Sequence, residues 1–365
     1  MSATVERIAR SGSPVPPAIF GLSPAVRLDR QLARLKPPPG VLLIGEDIVI
    51  DTPALNYLLN GPPLVVTDAA GRPLVAWLEK PDAALSDAFA AGRLPASPPA
   101  PVVVEGSFQF VSNMKKREPF MAYALDRVVA RTAEDALYYA SYKGVTDIVT
   151  KHAWPVPALA VVRACVGAGI SPNMVTTLSI ILSIAAIPSF IYGYLALGLA
   201  CAWGMTFLDT VDGKLARVTV SYSNFGNYFD HIPDIVFPPL WWLAFMAGVQ
   251  RIADPGVDTL LWSCFGIIMG SYVVGRLCEG VFTLRNGFAP FLWRAKDARF
   301  RLILARRNPN LLILTAAVLF QLPAQGYYVL TLWCAVCAVV QLWNLAESEW
   351  ARRAQPLASF LQDPA

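Results

Sequence analysis

Hydrophobic positions are distributed unevenly along this chain of 365 residues. Up to about residue 150, short apolar runs alternate with polar and proline-rich stretches, whereas long apolar segments follow one another from about residue 172. Short apolar runs bounded by turn residues are typical of the strands and helices of a soluble domain. Apolar runs that approach ~20 residues are typical of helices that cross a bilayer. We therefore expect a soluble N-terminal domain followed by a membrane-embedded domain.

The first region predicts a small soluble α/β domain over residues 1–130. The stretch "VLLIGEDIVID" (41–51) predicts two strands separated by a turn, and "PLVVTDAAGRPLVAWLE" (63–79) predicts a hairpin whose turn covers Asp68–Gly71. In "RTAEDALYYASYKG", Thr132 and Asp135 have the spacing of a capping box, which predicts the start of a helix there. Residues 131–173 are expected to form a linker with juxtamembrane helices.

The second region predicts an all-α transmembrane domain of six helices over residues 174–350. The six apolar segments lie at 174–193, 194–211, 227–249, 257–283, 310–323 and 326–346. Each approaches the ~20 residues that a bilayer crossing requires. The fifth is short, and it would need support from its neighbours or a locally thinned bilayer.

Charged residues make up only 15% of the chain, and the formal net charge of +4 is too small to indicate a nucleic-acid partner. Basic residues cluster after the fourth predicted span, at Arg285, Arg294, Lys296, Arg299, Arg301, Arg306 and Arg307. Because cytoplasmic loops carry an excess of Lys and Arg, this asymmetry places both termini and the 212–226 loop in the cytoplasm. We expect a multi-pass protein of the bacterial cytoplasmic membrane, in contact with membrane lipids.

The stretch "LDTVDGKLARVTVSYSNFGNYFDHIPD" (208–234) places four carboxylates between two of the most apolar segments. Asp209 and Asp212 are three residues apart and Asp230 and Asp234 are four apart, so each pair shares one face of a helix. Gly226 in the short linker would allow the two faces to approach. Four carboxylates at one place would repel one another unless cations lie among them. Two hard divalent ions, Mg²⁺ or Mn²⁺, suit such oxygen ligands.

Two such ions at a membrane surface are suited to binding a diphosphate and to stabilising the charge of phosphoryl transfer. Arg217 would add a fixed positive fork for a phosphate. The alternative interpretation is that these residues are helix caps, a solvated loop and a membrane-interface anchor. That alternative explains any one of them, but it explains the whole set poorly, because ionisable groups inside membrane spans are usually functional.

The spacing of this stretch resembles the signature of the CDP-alcohol phosphotransferase (phosphatidyltransferase) family. That signature reads Asp, two residues, Asp-Gly, two residues, Ala-Arg, eight residues, Gly, three residues, Asp, three residues, Asp. All its spacings are intact here, at Asp209, Asp212, Gly213, Ala216, Arg217, Gly226, Asp230 and Asp234. The resemblance extends over roughly residues 140–350, and it includes "ISPNMVT" (170–176), which is similar to the family's entry into its first span.

The resemblance implies a six-helix membrane fold and a homodimer. It also implies transfer of a phosphatidyl or other substituted phospho-group from a CDP-linked donor to an alcohol acceptor, with release of CMP, in phospholipid biosynthesis. By the same resemblance the metal ligands are Asp209, Asp212, Asp230 and Asp234, and Asp234 is the general base on the acceptor hydroxyl. It assigns binding of the donor to Asp209, Gly213, Ala216, Arg217 and Gly226.

His231 follows the third aspartate, as it does in the aminoalcohol-phosphotransferase branch of this family. It is either a second catalytic base or acceptor contact, or a helix residue that faces a neighbour. Two donor classes stay open: CDP-diacylglycerol, which we favour, and CDP-choline or CDP-ethanolamine acting on diacylglycerol. A non-catalytic membrane scaffold is a further alternative. Membrane prenyltransferases also use Mg²⁺ and diphosphates, but they lack the Asp-Gly-x-x-Ala-Arg element.

Residues 20–120 faintly resemble a nucleotidyltransferase-like domain, in "GLSPAVRLDRQL" (21–32) and "GVLLIGEDIVID" (40–51). An active domain of that kind needs a glycine-rich phosphate loop and acidic metal ligands. Here proline and valine stand in place of the glycines, and Asp47 alone keeps the position of a metal ligand. We expect a degenerate, non-catalytic domain with a regulatory or docking role; the alternative is a bifunctional enzyme that makes its own donor.

Overall fold

The structure is a computed structural model that describes residues 3–9, 15–112, 114–125, 130–221, 224–252 and 258–362. Within these ranges the side chains of residues 112, 224–234, 258 and 259 are not described. The chain forms two compact units. The first consists of Met1–Gly144 together with Lys214–Ser221, and the second of Val145–Gly213 together with Tyr222–Ala365.

The first unit contains nine strands and four helices among its described residues. In chain order they are β1 (Thr4–Ile8), α1 (Pro24–Leu35), β2 (Val41–Gly45), β3 (Ile48–Ile50), α2 (Thr52–Asn60), β4 (Leu64–Thr67), β5 (Pro73–Leu78), α3 (Ala83–Ala90), β6 (Val102–Val104), β7 (Gln109–Ser112), β8 (Lys116–Pro119), β9 (Ala122–Ala124) and α4 (Ala130–Ala140). Five strands form one mixed sheet in the order β1-β2-β5-β4-β6, and two small sheets pair β3 with β9 and β7 with β8. The α/β prediction is confirmed.

The central sheet separates two hydrophobic cores, because successive side chains of a strand point to opposite faces. Leu42 and Ile44 of β2 pack with Leu55 of α2, while Val41 and Leu43 of the same strand pack against α3. Strands β2 and β5 are buried along their whole length, as their near-continuous apolar sequences require. This part of the unit therefore has three layers, with helices on both faces of the sheet.

The predicted hairpin is present as the antiparallel pair β4–β5. Its turn is closed by Asp68, whose carboxylate accepts hydrogen bonds from the backbone N–H groups of Ala70 and Arg72. These bonds, together with the Arg72 side chain, help to hold the pKa of Asp68 below its usual value against the opposing effect of burial. The two strands predicted in 41–51 are also present, as β2 and β3, but β3 pairs with β9 and lies outside the central sheet.

The predicted capping box is wrong. Thr132 and Asp135 both lie inside α4, whereas a residue that caps a helix N-terminus lies just outside the helix and has non-helical dihedral angles. The same stretch is therefore helical, as expected, but the helix includes the residues that were predicted to cap it.

The described part of the second unit is helical. It contains α5 (Ile148–His152), α6 (Pro155–Gly167), α7 (Pro172–Ile191), α8 (Leu195–Val218), α9 (Asn224–Ile252), α10 (Asp258–Asn286), a 3₁₀ turn (Pro290–Leu292), α11 (Ala295–Phe300), α12 (Arg307–Leu319) and α13 (Pro323–Arg352). The last residues of α8 belong to the first unit. Ser171 caps α7 through the backbone N–H of Met174, and Pro172 follows at the first helical position, where proline is favoured.

Among the described residues, five helices are long and apolar enough to span a membrane, at Pro172–Ile191, Leu195–Val218, Ile235–Ile252, Leu260–Asn286 and Pro323–Arg352. They are consistent with a multi-pass integral membrane protein. The fifth of the six predicted spans corresponds to α12, which has only 13 residues. At 1.5 Å per residue this helix is about 20 Å long, shorter than the ~30 Å of a hydrocarbon core. The predicted count of six spans is therefore not confirmed, since five helices of the described residues meet the length and composition of a span.

One core holds the helices of this unit together, and Trp241, Phe245 and Tyr327 are buried at its centre. The Tyr327 hydroxyl donates to the Trp242 carbonyl at 3.1 Å, which satisfies a polar group inside this core. Helices α7 and α9 approach each other closely at Gly248, where an added Cβ would lie 2.0 Å from the Phe190 carbonyl oxygen. Only glycine leaves enough room at such a contact.

The substitution Gly248→Ala should therefore destabilise the membrane unit by about 1–3 kcal/mol, because the methyl group meets backbone that cannot move aside. A melting temperature lowered by several degrees in detergent would show this. Gly270→Ala on α10 is the matched control, since an added Cβ there meets nothing within 4 Å. Equal melting temperatures for the two variants would contradict the close approach of α7 and α9.

Candidate active site

The first half of the signature lies on one uninterrupted helix, α8, which continues to Val218. Asp212, Gly213 and Ala216 follow Asp209 by three, four and seven residues, so all four lie on one face of that helix. The glycine and the alanine leave this face with little side-chain bulk beside the two carboxylates. Such a face can admit a large anionic ligand close to the helix backbone.

Asp212 is buried, and a hydroxyl of the preceding helix holds its carboxylate. Thr176 of α7 donates its hydroxyl hydrogen to Asp212 Oδ2 at 2.5 Å. Thr176 lies one turn inside α7, after the Ser171 cap and Pro172, so the start of this helix fixes the position of the hydroxyl. The resemblance pointed to "ISPNMVT" as a helix entry, and the structure adds that its last residue contacts the signature.

Asp209 forms an ion pair with Arg307, one of the basic residues that follow the fourth predicted span. Arg307 Nη2 lies 2.5 Å from Asp209 Oδ2, and Arg307 Nη1 lies 3.4 Å from the sulfur of Met205. Arg307 is the first residue of α12. A positive charge therefore neutralises one signature carboxylate, and the start of α12 lies beside α8.

The second half of the signature lies at the start of α9. Asp230 and Asp234 are four residues apart on this helix, as expected, and Gly226 and His231 lie in the same stretch. The side chains of residues 224–234 lie outside the described part of the structure. Among the side chains that are described, no group of three or more His, Cys, Asp or Glu residues is placed to hold a metal.

The ligand chemistry of the described half fits the expected metal ions. Asp209 and Asp212 offer carboxylate oxygens, which Mg²⁺ and Mn²⁺ prefer, and one helix turn separates them.

The other intramembrane charges have a structural explanation. Arg276 and Glu279 of α10 approach to 3.9 Å, and Glu279 also forms an ion pair with Arg306. Arg301 lies in the same loop region as Arg306. Burial, with the charge of Arg306, lowers the pKa of the Arg301 guanidinium to about 9, so it remains positively charged at neutral pH. This group is a charge network between α10 and the loop before α12.

Replacing Thr176 by valine should destabilise the unit by about 1–3 kcal/mol, because a buried carboxylate loses a hydroxyl donor while the side-chain shape is kept. The melting temperature in detergent without added divalent metal measures the effect. Thr177→Val is the matched control, since Thr177 is exposed and its hydroxyl donates to Asn173 O of its own helix. If both variants have the same melting temperature, the Thr176–Asp212 hydrogen bond contributes nothing to stability.

Residues 169–341 match the family described as CDP-alcohol phosphatidyltransferase. A comparison with curated proteins finds no match. Among solved structures, three of Mycobacterium tuberculosis phosphatidylinositol phosphate synthase (PgsA1) are similar. The form in complex with manganese and citrate is 17% identical, with a TM-score of 0.40, and the alignment covers 52% of this chain and 88% of the synthase chain. The form with CDP-DAG bound is 18% identical, with a TM-score of 0.41, and the alignment covers 52% of this chain and 92% of the synthase chain. The apo form is 18% identical, with a TM-score of 0.38, and the alignment covers 56% of this chain and 100% of the synthase chain. These TM-scores indicate no more than a distant likeness.

The matched residues contain the whole signature from Asp209 to Asp234. They begin at Gly169, three residues before the start of α7, and end at Gln341, within α13. Members of this family are transferases of substituted phosphate groups. Residues 169–341 therefore belong to the CDP-alcohol phosphatidyltransferase family, and the chain is an enzyme of this class.

Proposed function

We propose that this protein transfers a phosphatidyl group from CDP-diacylglycerol to an alcohol acceptor and releases CMP, as a step of phospholipid biosynthesis. The observation that carries the proposal is the intact signature, with Asp209 and Asp212 on one face of α8. The contacts of Thr176 and Arg307 with these two carboxylates support it, because they fix both groups at one place in an apolar helix bundle.

In this proposal Asp209, Asp212, Asp230 and Asp234 hold two Mg²⁺ or Mn²⁺ ions. The ions, when bound, neutralise the diphosphate of the donor and the charge that develops during transfer. Gly213, Ala216, Arg217 and Gly226 bind the cytidine diphosphate part. The small residues let the nucleotide approach the helix backbone, and the Arg217 guanidinium pairs with a phosphate.

Asp234 is the proposed general base. It accepts the proton of the acceptor hydroxyl while the hydroxyl oxygen forms a bond to the phosphorus next to the lipid. The bond between that phosphorus and the oxygen that bridges to the cytidine-side phosphorus breaks, and CMP leaves with the electron pair on this oxygen. Asp234 suits this role because it lies one turn beyond Asp230 on α9, near the metals but later in the motif. His231 is a second candidate for the base or for an acceptor contact.

The same proposal includes the membrane arrangement. The short helix α12 would be the sixth span, accommodated by its longer neighbours or by local thinning of the bilayer. The excess of Lys and Arg in the loop after α10 favours a cytoplasmic location for that loop and for the signature. A homodimer in the bacterial cytoplasmic membrane is the expected assembly.

An aminoalcohol phosphotransferase is the second candidate, since His231 follows Asp230 as it does in that branch. Such an enzyme would transfer phosphocholine or phosphoethanolamine from its CDP derivative to diacylglycerol. The two candidates share the signature and differ in which substrate carries the lipid. Substrate pairs therefore separate them, and a scaffold without activity would use neither pair.

The decisive experiment measures Mg²⁺-dependent CMP release by the purified full chain. CDP-diacylglycerol with a panel of alcohols should support release, whereas CDP-choline or CDP-ethanolamine with diacylglycerol should not. Asp234→Asn should lower the rate by at least ~10²-fold, in the range of lost general-base catalysis. Asp212→Asn should also lower the rate, because it removes a proposed metal ligand. Asp87→Asn, an exposed aspartate of α3, is the control and should keep the full rate. If folded protein releases no CMP with any substrate pair, the result would favour the non-catalytic scaffold.

Arg307 should compete with the metal for Asp209, because both would bind the same carboxylate group. Arg307→Met is therefore expected to raise the affinity for Mn²⁺ several-fold. The affinity is measured by titrating the protein with Mn²⁺ and following the electron paramagnetic resonance signal of the free ion. Arg276→Met, which removes an arginine paired with Glu279, should leave the affinity unchanged. A lower Mn²⁺ affinity in Arg307→Met would mean that this arginine supports the metal site instead of competing with the ion.

A further inference from the structure

The end of helix α8 belongs structurally to the N-terminal unit. Residues Lys214–Ser221 form one compact body with Met1–Gly144, and they include Ala216 and Arg217 of the signature. The sequence pattern predicts a loop between two spans here. In the structure these residues form the last turn of α8 and the residues that end the helix, and residues of the N-terminal unit contact them in several places.

The termination itself is strained. Val220 has a positive φ of 50°, a conformation that suits glycine and that β-branched residues rarely adopt. The backbone N–H of Ser221 donates to Ala216 O at 2.9 Å, and that of Val220 donates to Arg217 O at 3.2 Å. This pattern is a Schellman motif with valine where glycine is usual. A strained backbone persists only where surrounding contacts determine it, and Val220 is fully buried.

Two arginines of α1 supply such contacts. Arg27 Nη2 donates to Val218 O at 2.5 Å and to Ile19 O at 3.2 Å, and Arg30 Nη1 donates to Thr219 O at 2.9 Å. The last carbonyls of a helix lack partners within the helix, and they carry partial negative charge. Arg27 is buried, and burial together with the charge of Arg30 lowers its pKa to about 10, so it stays a cation at neutral pH.

A second contact holds the segment from α4. The buried Lys214 side-chain nitrogen donates to Ser141 O at 2.9 Å, and it lies 3.3 Å from the centre of the Tyr142 ring. Both partners follow the C-terminus of α4, where backbone carbonyls lack partners within the helix. Burial raises the pKa of the Tyr142 hydroxyl, whereas a hydrogen bond with Tyr138 and the positive charge of Arg217 oppose this shift. Arg217 is therefore within electrostatic reach of Tyr142.

From these contacts we infer that the N-terminal region is a positioning domain for the signature. It fixes the last turn of α8 through Arg27, Arg30 and the Ser141–Tyr142 contact of Lys214, and it thereby sets where Arg217 meets the diphosphate of the donor. The identity of that ligand rests on the proposed function, but the hold on residues 214–221 does not. This role requires no catalytic site in the N-terminal region.

The test compares full-length wild-type protein with Arg27→Met in detergent, by hydrogen exchange with mass spectrometry and by titration with CDP in the presence of Mg²⁺. Arg27→Met should speed amide exchange in residues 214–221 by at least ~10-fold and weaken CDP binding by a similar factor. Arg27→Lys should restore part of both, because an ammonium group can still donate to Val218 O. Arg93→Met, an exposed arginine of the same unit, is the control and should change neither.

Exchange at residues 214–221 that is unchanged in a folded Arg27→Met protein would overturn the inference, and so would faster exchange with unchanged CDP affinity. If Arg27→Met does not fold, Arg30→Met replaces it, since that change removes the contact with Thr219 O and leaves the buried Arg27 in place, and the same two outcomes apply. A wild-type protein that binds no CDP would contradict the proposed function. The exchange comparison would still decide whether the N-terminal unit holds the segment.

Discussion

The structure depends on the compensation of carboxylates that lie inside an apolar helix bundle. A buried carboxylate without partners is strongly disfavoured, so each one must have donors or cations around it. Thr176 supplies a hydroxyl to Asp212, and Arg307 supplies a charge to Asp209. These two contacts tie the starts of α7 and α12 to the middle of α8. The need to compensate the signature therefore also helps to determine how three helices are placed.

Much of this arrangement follows from local sequence pattern. The long apolar runs predicted the long apolar helices, and short apolar runs bounded by turn residues predicted the strands β2, β4 and β5. The spacing of Asp209, Asp212, Gly213 and Ala216 predicted that they share one helix face. Such features depend on residues close together in the chain, where the periods of helices and strands apply directly. The α8 helix extends past the predicted end of its span because the segment after Asp212 continues a good helical sequence.

Contacts between distant residues were not predictable in the same way. Arg307 is 98 residues from Asp209, and Arg27 is 191 residues from Val218. In the sequence Arg307 is one basic residue in a cluster of seven, and Arg27 is one of three arginines in α1. Nothing local distinguishes them from surface charges. The misplaced capping box at Thr132 and the short α12 have a related cause, since helix ends are set by packing as well as by local signals.

The composition of the N-terminal unit has a consequence for how the protein is made. Its residues 214–221 are synthesised only after α7 and most of α8. The bonds from Arg27 and Arg30 to Val218 and Thr219 can therefore form only after those two helices have been made. The fold of the N-terminal unit is thus completed late in synthesis, by a segment that α7 and most of α8 separate in the chain from the rest of that unit.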